Sequence, residues 1–260
     1  MISENQYYTN GVSLSHTENS LTMKLDILAI VAHPDDVELS FGGTLLTHQK
    51  QGFKTGILDL TKGELGTRGT PEIRAQEAKD AAGILKLSVR ENLGLADGFF
   101  ENSKENQIKI AEQIRRFQPR IVITNSIYDR HPDHTRGAQL VETACFIAGL
   151  KAVETEWEGV KQDFYRPEKL YFSIQSTAHE PDILVDVSDV MEERRAAINA
   201  FKSQFYDPNS KEPETFISSE GFMTMLESRA REWGQRIGVG YAEGFKVKHF
   251  LGVKSLFDLV

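Results

Sequence analysis

The sequence predicts an α/β fold, a Rossmann-like three-layer α/β/α arrangement with a mostly parallel sheet. From about residue 23 onwards, short apolar runs alternate with segments of helical period. This alternation is typical of a parallel sheet with helices on both faces. The first run, residues 25–32, is almost continuously apolar, as expected for a strand that is covered on both faces. Such sheets bind ligands at the carboxyl ends of their strands, so we expect the active site there.

The remaining elements follow in order along the chain. The predicted strands are the apolar or β-branched runs at residues 25–32, 54–60, 89–95, 120–125, 169–174 and 183–187. The predicted helices have apolar residues at helical spacing and lie at residues 37–51, 71–85, 105–117, 134–150, 190–205 and 221–236. One helix start is well marked, because Thr70 can act as N-cap, Pro71 as the first helical residue and Glu72 as a first-turn acid.

The composition is that of an ordinary globular protein. The 260 residues include 30 Lys and Arg against 38 Asp and Glu, a formal net charge of −8. This balance disfavours attraction to nucleic acid or to an anionic membrane surface. No run approaches the roughly 18 consecutive apolar residues of a membrane span. We therefore expect neither nucleic acid nor a membrane as a partner.

The domain organisation predicted from the sequence is simple. Residues 1–22 lack a basic segment, an apolar segment and any regular period, so they are predicted to be a disordered extension. Residues 23–260 contain no linker-like stretch, and we expect them to form a single domain. The polar stretch at residues 206–219 contains two prolines and suits a lid, a subunit contact or a solvated connection.

A single cysteine, Cys145, limits both the redox chemistry and the metal chemistry. It excludes an intramolecular disulfide and a multi-cysteine zinc cluster, so the chain fits a reducing compartment. We expect a cytoplasmic location and a metal site made of His, Asp or Glu. Cys145 itself lies in an apolar helical segment and is predicted to fill the core.

The first candidate site is the run AHPDD, which follows the first predicted strand. A dinucleotide-binding protein would carry a glycine-rich fingerprint there, and this chain does not. Asp35 and Asp36 are adjacent carboxylates that repel each other, which a cation would relieve. One of them can bind a metal beside His33, while the other faces the open coordination position. The alternative is that these residues only cap the strand and the helix.

The second candidate site is the run DRHPDH, which lies between the fourth predicted strand and a helix. If Pro132 opens that helix, His131 is the N-cap and His134 lies in the first turn, so the two imidazoles can address one point. Together, His33, Asp36 and His134 would leave a fourth tetrahedral position for water, as in catalytic zinc sites.

These two motifs resemble those of the zinc-dependent N-acetylglucosamine deacetylases of the LmbE-like or PIG-L type. The chain is most similar to the bacillithiol-biosynthesis branch, whose substrate is N-acetylglucosaminyl malate. This second resemblance rests on the strings GELGTRGTPEIR, RENLGLADG, DRHPDH and RIGVGYAEGF. It covers about residues 23–260 and implies one zinc ion per subunit, a small-molecule N-acetyl sugar conjugate as partner, and a homo-oligomer for which the family suggests a hexamer.

The resemblance also implies a role for each residue of the two motifs. The implied zinc ligands are His33, Asp36 and His134, and the implied catalytic residues are Asp35 as general base, His131 as oxyanion partner or general acid, and Asp133 as the carboxylate that orients an imidazole.

Three further residues are candidates for substrate binding. Arg74 and Arg130 match family arginines near the substrate, and a guanidinium suits bidentate capture of the malyl carboxylates. A surface ion pair or a helix-capping arginine is the alternative for both. Asp97 is a candidate acceptor for sugar hydroxyl groups, with a plain turn aspartate as the alternative.

The predicted function is therefore zinc-dependent removal of the acetyl group from an N-acetylglucosaminyl conjugate, with N-acetylglucosaminyl malate as the first candidate. The alternatives are deacetylation of another N-acetyl sugar, a metal-dependent phosphoesterase, and a non-catalytic sugar-binding protein. A phosphoesterase would more often assemble two metals from additional ligands. A sugar-binding protein would not need a carboxylate beside an open metal position.

Overall fold

The computed structural model describes residues 23–206 and 209–258. The predicted extension at residues 1–22 lies outside the described residues. The strands are β1 (Ile27–Val31), β2 (Thr55–Thr61), β3 (Val89–Leu95), β4 (Ile121–Thr124), β5 (Glu156–Trp157), β6 (Val160–Lys161), β7 (Lys169–Ser173), β8 (Ile183–Asp186) and β9 (Ala242–Lys246). The helices are α1 (Asp36–Ser40), α2 (Gly42–Lys50), α3 (Pro71–Ile84), α4 (Lys104–Phe117), α5 (Pro132–Ala148), α6 (Met191–Asn199) and α7 (Glu220–Arg236).

Seven strands form one sheet in the order β3-β2-β1-β4-β7-β9-β8. The five strands from β3 to β7 in this order pair in parallel, whereas β9 is antiparallel to both of its neighbours. The short strands β5 and β6 form a separate hairpin. The mostly parallel sheet is the one that the sequence predicts.

The side chains of β1 explain the three layers. Because successive residues of a strand point to opposite faces, Leu28 and Ile30 pack in a cluster with residues of α4 and α5. Ile27, Ala29 and Val31 pack on the other face, in a cluster with residues of α1, α2 and α6. All five side chains are buried. The α/β/α prediction is confirmed.

The predicted helix at residues 37–51 is wrong in one respect, because the structure divides it at Phe41. The side chain of Phe41 is fully buried, and its backbone leaves the helical region at φ −151°. The carboxylate of Glu243 then accepts hydrogen bonds from the backbone N–H groups of Gly43 and Thr44. A Cβ at Gly43 would lie 2.9 Å from a Glu243 oxygen. The glycine in the first turn of α2 therefore allows the carboxylate to approach the backbone closely.

The predicted helix at residues 190–205 is also too long, since α6 ends at Asn199. Phe201 and Phe205 turn into a cluster with α7, and Ser203 donates two hydrogen bonds to Glu77 of α3. After Asn199 the chain is therefore stabilised by the buried aromatic rings and by these two hydrogen bonds, and not by further helical turns. In addition, the strand β9 is not among the strands that the sequence predicts.

The order of the sheet places β1 and β4 side by side in parallel, so their carboxyl ends meet at one edge. Asn125, directly after β4, accepts a hydrogen bond of 2.7 Å from the backbone N–H of Ala32, directly after β1. This contact fixes the two strand ends relative to each other. No helix in the described part of the chain is long and apolar enough to cross a membrane.

Candidate active site

The three predicted metal ligands come together at the carboxyl ends of β1 and β4. Oδ1 of Asp36 lies 3.1 Å from Nε2 of His134, and Oδ2 of Asp36 lies 3.6 Å from Nδ1 of His33. All three side chains are buried. Two imidazoles and one carboxylate match the donor types of a catalytic zinc site.

Carboxylates on the far side of His33 orient its ring. Nε2 of His33 lies 3.1 Å from Oδ1 of Asp97 and 3.4 Å from Oδ2 of Asp133. A proton on Nε2 satisfies these acceptors and leaves the Nδ1 lone pair directed towards Asp36. Asp133 thus lies where the sequence expects an orienting carboxylate. Asp97 contacts the same nitrogen, and its other oxygen accepts from the N–H of Leu65.

Asp129, to which the sequence analysis gave no role, lies behind His134. Its Oδ1 is 3.5 Å from Nδ1 of His134 and accepts from the backbone N–H of His131. Its Oδ2 accepts from the backbone N–H of Ser176. Its position in the run DRHPDH, at the start of the second motif, was the only available signal.

The electrostatics of these groups favour a cation. Burial would lower the pKa of His134, but Asp36 and Asp129 raise it to about 9. Burial likewise opposes ionisation of His33, yet Asp133, Asp36 and Asp97 raise its pKa. Burial would raise the pKa of Asp36, whereas the two imidazoles hold it well below its ordinary value. Carboxylates that stabilise two imidazolium charges would also stabilise a divalent ion, so the residues fit a metal.

Asp35 occupies a strained and buried position beside this cluster. Its φ of +122° is rarely adopted by a residue other than glycine, and such strain is often found at functional sites. Burial raises the pKa of Asp35 to about 7, against the opposing effect of the Arg74 guanidinium. A carboxylate with a pKa near 7 can both accept and return a proton near neutral pH.

Arg74 lines the cleft, and its guanidinium is hydrogen-bonded to acceptors of the protein itself. Its guanidinium is buried and donates to Oδ2 of Asp35 at 2.9 Å, to the carbonyl of Pro34 at 2.7 Å and to the carbonyl of Gly63 at 3.3 Å. These acceptors direct the charge onto Asp35 and the backbone around it. In this structure the guanidinium of Arg74 therefore holds Asp35, and its binding of substrate carboxylates stays a prediction.

His131 is half-buried at the N-cap of α5, as the sequence predicts. Its Nδ1 accepts a hydrogen bond from the backbone N–H of Asp133, so a neutral ring carries its proton on Nε2. Burial and the neighbouring imidazoles of His33 and His134 lower the pKa of His131. It is therefore suited to act as a neutral hydrogen-bond donor.

Arg130 lies on the wall of the cleft that contains these groups. Its guanidinium is exposed and stacks 4.4 Å from the ring centre of Phe216. The cleft has a volume of about 380 Å³, which is within the range of small-molecule sites. Residues 215–217 thus contribute to the cleft wall, and Glu212 of the same polar stretch pairs with Arg68.

Two groups of potential metal ligands occur among the described residues, and both include His33. One contains the imidazoles of His33, His131 and His134, and the other contains His33 with Asp97 and Asp133. The second group is accounted for by hydrogen bonds to Nε2 of His33. The first group contains His131 and not Asp36, so Asp36 as the third ligand stays a prediction from the sequence, supported by its contacts with His33 and His134.

Comparison with known proteins agrees with this geometry. The family model described as "PIG-L: GlcNAc-PI de-N-acetylase" matches residues 28–145, which include both motifs. The crystal structure of a conserved protein from Thermus thermophilus is 37% identical, with a TM-score of 0.77 over 88% of this chain and 97% of that one. The chain belongs to the PIG-L/LmbE-like deacetylase family.

Curated relatives of this PIG-L/LmbE-like chain differ in their substrates. Diacetylchitobiose deacetylase of Thermococcus kodakarensis is 29% identical over 85% of this chain and 82% of the relative. A probable N-acetyl-alpha-D-glucosaminyl L-malate deacetylase 2 of Bacillus cereus is 25% identical over 70% and 84%. The 4-oxalmesaconate hydratase of Pseudomonas putida is 26% identical over 72% and 76%. Similarity within the family therefore does not fix the substrate.

Proposed function

We propose that this protein is a zinc-dependent deacetylase that hydrolyses the acetamide group of an N-acetylglucosamine conjugate. The observation that supports it is the placement of Asp35, whose carboxylate accepts a hydrogen bond of 2.9 Å from Arg74, in the same cleft as His33, Asp36 and His134. A metal-dependent hydrolase needs a positioned base next to a metal-activated water. Asp35 is the candidate base, and His33, Asp36 and His134 are the candidate metal ligands.

His33, Asp36 and His134 would hold the metal. When bound, zinc would lower the pKa of a water molecule to about 7 and polarise the amide carbonyl. Asp35 accepts the proton of the attacking water and returns it to the departing amine. Arg74 holds the Asp35 carboxylate in place, and Asp97, Asp133 and Asp129 hold the imidazoles.

His131 would stabilise the negative charge that develops on the carbonyl oxygen. Its Nδ1 is occupied as an acceptor, so its Nε2–H is the group that can donate to that oxygen. A lowered pKa keeps the ring neutral and removes repulsion from a nearby cation. One such donor contributes about 10²- to 10³-fold to the rate.

The substrate we propose first is N-acetylglucosaminyl malate. The exposed guanidinium of Arg130 in the cleft supports it, because an acidic aglycone would form charge-assisted hydrogen bonds there. Diacetylchitobiose is the principal competitor, in view of the Thermococcus relative. A cytoplasmic location, a homo-oligomeric state and a single domain at residues 23–260 remain predictions from the sequence.

The test measures free amine released from N-acetylglucosaminyl malate, diacetylchitobiose and N-acetylglucosamine by the zinc-loaded protein. We expect kcat/KM for the malyl conjugate to exceed that for N-acetylglucosamine by at least about tenfold, since one charge-assisted hydrogen bond is worth roughly 1.5–3 kcal/mol. Arg130→Met should reduce this ratio by a similar factor. Arg120→Met, at an exposed arginine that pairs with Glu168, is the matched control and should leave the ratio unchanged.

Two results would overturn parts of this proposal. A higher kcat/KM for diacetylchitobiose would retain the deacetylase but reject the malyl substrate. Absence of free amine from all three substrates, with zinc bound, would reject the deacetylase and direct attention to water addition of the kind named for the hydratase relative.

A further inference from the structure

The carboxyl end of β7 contacts both halves of the proposed metal site without supplying a ligand. Nε2 of Gln175, two residues after β7, donates a hydrogen bond of 2.9 Å to Oδ1 of Asp36. The backbone N–H of the next residue, Ser176, donates at 2.9 Å to Oδ2 of Asp129. Asp129 in turn faces His134. This short segment therefore touches the carboxylates of both sequence motifs.

The hydrogen bonds to Asp36 indicate which of its oxygens is available to a metal. Oδ2 accepts from the backbone N–H of His33 and from the side-chain amide of Asn125, both at 2.9 Å. These two donors use both lone pairs of Oδ2. Oδ1 accepts from the amide of Gln175, and it lies 3.1 Å from Nε2 of His134. Gln175 therefore shares the oxygen that retains a lone pair for a metal.

The amide of Gln175 shows a feature that packing does not explain. Gln175 is 5% exposed, and its Oε1 is buried with no hydrogen-bond partner among the described residues. An unsatisfied buried acceptor costs free energy, which an apolar side chain would avoid. Only the amide nitrogen can donate to a carboxylate, so its bond to Asp36 fixes an orientation that leaves Oε1 unpaired.

Arg229 of α7 holds the backbone of this segment. Its guanidinium donates to the carbonyl of Gln175 and lies over the ring of Trp233 at 5.2 Å. Burial lowers the pKa of Arg229 to about 10, and the described residues give it no salt bridge. A buried guanidinium directed at a carbonyl rather than at a carboxylate restricts the position of that peptide.

We propose that Gln175 is a positioning residue for Asp36 and that Arg229 acts through the carbonyl of Gln175. Together they set the affinity of the site for its metal. Groups that hydrogen-bond to metal ligands typically change metal affinity by about 10- to 100-fold when they are removed. This inference rests on the metal ligands assigned under the proposed function.

The test measures zinc affinity of the folded, metal-depleted protein by competition with a chromophoric chelator, and it measures thermal unfolding of the same samples. Gln175→Met keeps the length of the side chain without its donor and should weaken zinc binding about 10- to 100-fold. Arg229→Met should weaken it in the same direction by a smaller factor. Arg229→Lys retains a donor and should lie between Arg229→Met and the parent.

The matched controls are Gln113→Met and Arg115→Met on α4, a helix that contributes no residue to the cleft wall. Gln113 is as buried as Gln175, and Arg115, like Arg229, donates to backbone carbonyls. Both controls should keep the parent's zinc affinity even where their melting temperature falls.

Parental zinc affinity in folded Gln175→Met would overturn this proposal and leave the proposed function intact. Equal losses of affinity in the α4 controls would also overturn it, since the effect would then follow stability. A parent that binds no zinc would reject the proposed function as well. A parent that binds zinc without deacetylating would reject the function alone.

Discussion

The two halves of the site share a short motif, but one aspartate in each half has a pKa shifted in the opposite direction. In each half a parallel strand is followed by the letters His-Pro-Asp, which precede α1 in the β1 half and form the N-cap and first residues of α5 in the β4 half. The residues of the turn after β1 are buried, and burial raises the pKa of Asp35 to about 7. The turn after β4 is more open, and contacts with His134 and backbone N–H groups lower the pKa of Asp129 to about 2, against the effect of burial.

Because their pKa values differ, we expect Asp35 and Asp129 to have different tasks, although both are aspartates. A carboxylate with a pKa near 7 can exchange a proton with substrate at neutral pH, whereas one with a pKa near 2 stays ionised and can only orient or attract. We therefore expect Asp35 of the β1 half to act as the base, and Asp129 of the β4 half to stay ionised and to orient His134.

The two halves should be equally necessary for the metal. Asp36→Ala removes one of the two proposed ligands of the β1 half, and His134→Ala removes the proposed ligand of the β4 half. Each should abolish stoichiometric zinc binding and lower activity by at least about 10³-fold, because metal activation is worth several kcal/mol. Atomic absorption and the amine assay measure both effects. His48→Ala, at a partly buried histidine of α2, is the control, and full zinc content in either ligand variant would show that the ligand set is wrong.

Asparagine at the two contrasting aspartates should separate their tasks. Asp35→Asn cannot accept a proton, so kcat should fall by about 10²- to 10⁴-fold while zinc remains bound. Asp129→Asn loses the anion behind His134, so zinc affinity should fall by about 10- to 100-fold, with kcat at saturating zinc less affected. Single-turnover rates and chelator competition measure the two quantities. If both variants showed the same pattern, the division between the halves would fail.

Arg74→Met should affect catalysis without changing substrate preference. The variant removes the hydrogen bond that holds Asp35, so kcat should fall by roughly ten- to a hundredfold, and by the same factor on N-acetylglucosaminyl malate and N-acetylglucosamine. The ratio of kcat/KM values for the two substrates measures this. A loss of kcat/KM confined to the malyl substrate would support the role in substrate binding that the sequence predicts for Arg74.

Cys145 should be unreactive in the folded protein and have no role in catalysis, although it lies on α5, the helix that carries His134. Burial raises the pKa of its thiol to about 12, whereas an unfolded cysteine titrates near 8.5. The folded protein should therefore not react with a thiol reagent at pH 8 to 9, where the unfolded chain reacts at once. Labelling with and without denaturant measures this, and rapid labelling of the folded chain would show that the site around Cys145 opens. Cys145→Ala should leave kcat unchanged.

Local sequence determined the parts of this protein whose causes lie within a few residues. Apolar runs and helical periods predicted the strands of the parallel sheet, and Pro132 marked the start of α5 with His131 as its N-cap. The rule that ligands bind at strand ends placed both motifs at one edge. The break at Phe41 could not be predicted in this way, because its cause is Glu243, about two hundred residues away along the chain.

Tertiary structure alone decided what each charged or polar group faces. Nothing in the sequence indicated that Arg74 would donate a hydrogen bond to Asp35, 39 residues earlier. Gln175 belongs to no motif, and only the pairing of β4 with β7 brings it to Asp36, 139 residues away. Hydrogen bonds and pKa values depend on distances and burial at the angstrom scale, and these arise from the packing of segments that are remote in sequence. A local pattern can therefore name the reacting groups, while the packed fold decides their partners and their charges.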